Sequence, residues 1–120
     1  MGKTYAVVIG IVLTLVGIIG FFVKDPAGLM GLHFNTIHNV IHLATGLIGL
    51  GAGLGGGEKG GKGYAKVFGV IYTLVAILGF AGIAYVVNLL MLNTTYNVIH
   101  LVIGLLGLLA GFLGGSEAAS

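Results

Sequence analysis

The chain has 120 residues, 58% of them hydrophobic and 7% charged, with a net charge of +2 and no cysteine. A soluble domain carries about 25% charged residues, so a water-clad globule is excluded. Disulfides and thiolate metal sites are excluded too, and a charge this small offers nucleic acid little attraction.

From the N-terminus, Met1-Gly2-Lys3 is followed by Ala6 where a myristoylation signal needs Ser or Thr. The apolar run 5–23 is longer than a signal-peptide core, and no small-x-small cleavage site precedes Lys24-Asp25-Pro26. It approaches the roughly 20 residues that a helix needs to cross about 30 Å of hydrocarbon, and a spanning helix is expected over about 4–23. Residues 24–34 carry Pro26 and should form a turn or short surface helix. Asn35-Thr36 caps a second helix over about 36–54. The segment 55–63 reads as a flexible glycine-rich linker. No strand precedes it and no Walker pattern is present, so it is not a phosphate loop. A third helix is expected over about 64–87, with the apolar stretch 82–92 lying in the headgroup layer. Asn93-Thr94 then caps a fourth helix over about 95–113, and 116–120 form a flexible tail. Across 5–23, 36–54, 64–87 and 95–113 the one charged residue is Lys66. Tyr5 and Tyr64 at the helix starts, and Phe21, Phe22 and Phe80 at the other ends, suit interface anchoring.

The sequence repeats. Asn35-Thr36, Asn39-Val40-Ile41-His42-Leu43, Gly46-Leu47 and Gly49-Leu50 return as Asn93-Thr94, Asn97-Val98-Ile99-His100-Leu101, Gly104-Leu105 and Gly107-Leu108. The first helix returns too, with Tyr5-Ala6, Gly10 and Thr14-Leu15-Val16 matched by Tyr64-Ala65, Gly69 and Thr73-Leu74-Val75. The unit is a helix hairpin used twice. The expected fold is all-α: one integral membrane domain over 1–120, a four-helix bundle of two tandem hairpins, 4–57 and 63–115. A hairpin has an even number of crossings, so its copy enters from the same side and the repeat is parallel, not inverted. Lys3, Lys59, Lys62 and Lys66 sit at the end of the termini and the central connection, and only Lys24 lies opposite. Positive charge stays in the cytoplasm, so both termini should be cytoplasmic.

On a helical wheel, Asn35, Asn39, His42, Gly46, Gly49 and Gly53 form one stripe, as do Asn93, Asn97, His100, Gly104, Gly107 and Gly111. The first and third helices carry Gly10-Thr14-Gly17 and Gly69-Thr73-Ala76 at the same spacing. Small residues so placed are the usual means of packing helices in lipid. His42 lies about 10 Å below the outer end of its helix at 1.5 Å per residue. An ionisable group at that depth faces the bundle interior or a cavity. Asn39 with His42 and Asn97 with His100 are therefore read first as polar packing pairs, hydrogen-bonded between helices.

An alternative is axial ligation by His42 and His100 of a haem or a chlorophyll-type pigment, with Gly46 and Gly104 leaving room for the flat macrocycle. A metal reading would use His33, His38 and His42, with Met30 nearby. The fourth helix has Tyr96 where His38 stands, so that pattern is not duplicated, and no metal or other cofactor is expected. A small-solute pathway lined by Asn39, His42, Asn97 and His100 is the remaining alternative, although no span carries an acidic residue.

The motif Asn-x-x-His-Leu-x-x-Gly-x-x-Gly, at 39–49 and again at 97–107, resembles that of an uncharacterised family of small four-helix bacterial membrane proteins, a domain-of-unknown-function family. The resemblance implies a bacterial inner-membrane location and no activity. With no nucleophile–base pair and no paired carboxylates, no enzyme is expected. The leading expectation is a structural or accessory membrane protein, self-associating or part of a larger complex, whose partners are the lipid bilayer and other membrane protein rather than nucleic acid.

Overall fold

The computed structural model describes residues 1–23, 36–90 and 92–113. The described residues are helical with no strand: α1 Gly2–Gly20, α2 Thr36–Leu50, a π-helical segment Gly51–Gly55, α3 Gly56–Phe80, α4 Ala84–Leu90 and α5 Thr94–Phe112. The connection 24–35, with Pro26, Met30, His33 and the cap Asn35, and the tail from 114 lie outside them, as does Met91.

Glycine disfavours a helix interior by about 1 kcal/mol relative to alanine, and the chain has 24 glycines. Helices form nonetheless, because in hydrocarbon each backbone N–H and C=O must find its partner within the segment. Three helical stretches are long and apolar enough to cross a membrane: Gly2–Gly20, Thr36–Phe80 and Thr94–Phe112. The second has 45 residues, and it doubles back. Nineteen residues separate Thr45 from Tyr64, about 28 Å along a straight helix, yet the Tyr64 hydroxyl donates to the Thr45 carbonyl at 3.1 Å. The reversal lies at Gly57, whose φ of 63° and ψ of −149° suit only glycine. Four long helices result, α1 packing along α2 and α3 along α5.

Two boundaries differ from the sequence expectation. Beyond the reversal at Gly57, residues 58–63 are not a loose linker but the first turns of α3. A Cβ on Gly61 would lie 2.5 Å from the Lys3 nitrogen, and one on Gly60 2.5 Å from the Ala52 carbonyl oxygen. These glycines are there for close approach. At the other end α3 stops at Phe80, not 87. Gly82 takes φ 71°, its N–H bonds Gly79 O at 3.1 Å, and Ile83 N–H bonds Leu78 O at 3.1 Å. This paired pattern closes a helix C-terminus with glycine in the left-handed conformation, and α4 begins beyond it. The expected cap Asn93 accepts from the Tyr96 N–H at 3.0 Å.

The cross-section is inverted relative to a soluble protein. Val8, Ile11, Leu15 and Ile18 on α1, and Val67, Ile71, Leu74 and Ile77 on α3, are 43–55% exposed. Glycine, alanine, tyrosine, asparagine and histidine fill the interior. At one end the Met1 ammonium contacts the Glu58 carboxylate at 2.9 Å, and the Lys3 N–H donates to the same group at 3.2 Å. The ammonium, before all else, holds the Glu58 carboxyl below its ordinary value.

Candidate functional site

The long helices meet along seams that lack side chains. A Cβ on Gly10 would stand 2.8 Å from Leu50 N, on Gly17 2.7 Å from Leu43 N, and on Gly69 2.7 Å from Leu108 N. Gly53 is pressed against Val7 and Gly111 against Lys66, in both cases 2.7 Å from the Cβ position. The space beside Gly46 and Gly104, where a macrocycle would have needed room, is taken by Thr14 and Thr73.

Gly49 and Gly107 do something further. Tyr64 fits against Gly49, with Cζ 2.8 Å from the Cβ position, and Tyr5 against Gly107, with its hydroxyl oxygen 2.7 Å away. A helical carbonyl has two lone pairs and spends one on the N–H four residues on. The side chain at that later position shields the other, so a glycine there uncovers it. The Tyr64 hydroxyl accordingly donates to Thr45 O, four residues before Gly49, at 3.1 Å. The Tyr5 hydroxyl donates to Ile103 O, four residues before Gly107, at 2.9 Å. Both tyrosines are buried, at 7% and 5% exposure, with ring centroids 6.0 Å apart. They are interior crosslinks and not interface anchors.

Above this crossing lies a cluster of imidazoles. His38 and His42 occupy successive turns of one α2 face, with ring centroids 4.1 Å apart. His100 arrives from α5, 5.6 Å from His38 and 6.4 Å from His42. One imidazole nitrogen from each of the three lies within 4.8 Å of the others. Exposure is 2%, 4% and 2% respectively. Tyr96 packs on His38 at 4.8 Å and stacks on His100 at 5.6 Å. Tyr72 of α3 also packs against His100, with ring centroids 5.4 Å apart. A cavity of about 190 Å³ adjoins the rings and is lined also by Thr45, Phe68 and Tyr72.

The hydrogen bonding of the cluster is asymmetric. His38 Nδ1 lies 3.0 Å from the Leu90 carbonyl oxygen. A carbonyl only accepts, so Nδ1 carries the proton and Nε2 of the neutral ring keeps its lone pair. Nδ1 of His42 and Nδ1 of His100 are buried with no hydrogen-bond partner among the described residues. So are Oδ1 of Asn39 and Oδ1 of Asn97, the latter jammed against Gly79 of α3.

His42 and His100 thus come together, and His38 joins them. Sequence reasoning grouped His38 with His42 and with His33, Met30 nearby; His33 and Met30 lie outside the described residues, and the contacts of Tyr72 and Tyr96 with the rings were missed. The four-residue spacing of His38 and His42 was read, but it was not joined to the expected pairing of His42 with His100. No curated protein and no solved structure matches the chain. A family model matches residues 3–113, nearly the whole chain, and the protein therefore belongs to the DUF4383 family, a domain of unknown function.

Proposed function

We propose that this protein is a small, non-enzymatic structural component of the bacterial inner membrane. It consists of two tandem hairpins, acts through helix packing, and self-associates or serves as an accessory in a larger membrane complex. The pair of tyrosine bonds carries this reading. Tyr5 and Tyr64, equivalent in the sequence repeat, bond to Ile103 and Thr45, equivalent again, and each reaches into the other half of the chain. Small-residue seams hold each half together, and aliphatic side chains face outward. The filled space beside Gly46 and Gly104 favours this reading over a haem or chlorophyll-type pigment held by His42 and His100.

Both termini are cytoplasmic in this reading, since Lys3, Lys59, Lys62 and Lys66 share the end where Gly2 meets Gly61. The chain has no cysteine, so single cysteines report topology cleanly. Lys3→Cys, Lys59→Cys and Ser116→Cys should react with an impermeant maleimide only in inside-out bacterial vesicles, and Tyr85→Cys only in spheroplasts. Ser116→Cys reacting from the side of Tyr85→Cys would mean three crossings and would end the tandem-hairpin reading. Native mass spectrometry in mild detergent should show a homo-oligomer or a retained membrane partner. A monomer carrying a Soret-absorbing pigment would refute the structural role.

A further inference from the structure

The tyrosine crosslinks and the glycine seams account for the packing, but neither requires three imidazoles at one point. We propose that His38, His42 and His100 bind a single divalent transition-metal ion of borderline softness, with Zn²⁺ as the reference ion. This inference goes beyond the structural reading and does not depend on it.

Imidazole nitrogen suits zinc, copper, iron and nickel, whereas calcium and magnesium require sets of oxygen ligands. The cluster contains no carboxylate, so hard cations are disfavoured. A tetrahedral ion with metal–nitrogen distances of 2.0–2.1 Å places its ligand nitrogens about 3.3 Å apart. The three imidazole nitrogens already lie within 4.8 Å of one another. Closing that gap takes about 1.5 Å, which is small ring tilting about side-chain torsions rather than movement of helices.

The surrounding polar atoms fit the same chemistry. The Leu90 carbonyl oxygen lies 3.0 Å from His38 Nδ1 and fixes the tautomer that leaves Nε2 as the donor atom. A hydrogen bond of this kind on the far ring nitrogen is what nearly every metal-bound histidine carries. Each buried Nδ1 of His42 and His100 lacks a partner among the described residues, and a buried polar atom left unpaired is costly. Coordination removes that cost at whichever nitrogen binds. Three neutral protein ligands leave a fourth tetrahedral position, and the adjoining cavity of about 190 Å³ has room for a water molecule or small anion there. The repeat explains why there is one site and not two. His42 and His100 are equivalent to each other, but the position equivalent to His38 is Tyr96.

The test uses the full chain in mild detergent, stripped with chelator and titrated with Zn²⁺ by calorimetry and with Co²⁺ by visible absorption. The expected result is one ion per chain, with the intense d–d bands of tetrahedral cobalt. His38→Tyr copies the residue of the other half and preserves the aromatic packing. It should weaken binding more than about 100-fold, beyond the 10–100-fold typical of losing an outer partner of a ligand, and His42→Gln and His100→Gln should do the same. Should a variant fail to fold, X-ray absorption on the zinc-loaded unmodified protein decides. Three imidazole nitrogens at about 2.0–2.1 Å support the site. Absence of stoichiometric binding, binding that survives all three substitutions, or a zinc shell dominated by oxygen would overturn it.

Discussion

Replacing Gly107 with alanine tests how the halves lock. The new methyl carbon would stand 2.7 Å from the Tyr5 hydroxyl, 2.8 Å from Gly69 Cα and 3.0 Å from the Ala65 carbonyl oxygen. Two of these three neighbours are backbone and cannot swing aside. Either α5 moves away from α3 or Tyr5 leaves its seat and releases Ile103. Overpacking of this kind costs about 1–3 kcal/mol, and the lost interhelical hydrogen bond adds about 0.6 kcal/mol in lipid. Alanine returns about 1 kcal/mol through its helix propensity. The expected net loss is about 0.6–2.6 kcal/mol. Gly63→Ala isolates the propensity effect, because nothing lies within 4 Å of its Cβ position, and it should stabilise by up to about 1 kcal/mol. SDS titration in mixed micelles, followed by far-ultraviolet circular dichroism, reads both changes. If the two substitutions shift stability in the same direction, the tyrosine-seat reasoning fails.

Tyr5→Phe keeps the ring in its seat and removes only the bond to Ile103, so it should cost about 0.6 kcal/mol in the same titration, the lower end of the range for Gly107→Ala. Gly82→Ala forces a Cβ into the left-handed region at φ 71° and should cost about 1–2 kcal/mol, with faster amide exchange at the end of α3 as the local readout. Glu58 is held below its ordinary value of 4.5 by the Met1 ammonium. Its contribution is therefore complete above that value and lost as pH falls through the lower folded value. Glu58→Gln should flatten the fall in stability as pH drops below about 4.5, and an unchanged fall there would disprove the role of the pair.

Much of the architecture could be read from residues, for reasons that differ from helix to helix. The long apolar runs announced the helices because lipid leaves the backbone no other way to satisfy its polar groups. The glycine stripes announced their seams, and Asn93 its cap. Composition misled at 56–63, where glycine was taken for looseness. Contact with Ala52 and Gly2 explains Gly60 and Gly61, and only the partner segment reveals it. The apolar character of Val86 and Val87 likewise concealed the helix end at Gly82, since hydrophobicity says nothing of a left-handed φ. Tyr5 and Tyr64 looked like interface residues because their acceptors are main-chain atoms, which carry no sequence signature except the glycine four positions later. The imidazole cluster was half legible. The repeat joined His42 to His100, and helical spacing joined His38 to His42, but each clue was followed separately.

The tyrosine and its glycine socket also bear on ancestry. Each hairpin presents both knob and hole, so one hairpin could dock onto an identical copy of itself with the same two bonds. In the tandem-hairpin reading, a single hairpin would already specify a two-fold dimer, and fusion would only tether what association could build. A tethered pair could differ between its halves where a homodimer could not, as His38 and Tyr96 differ here.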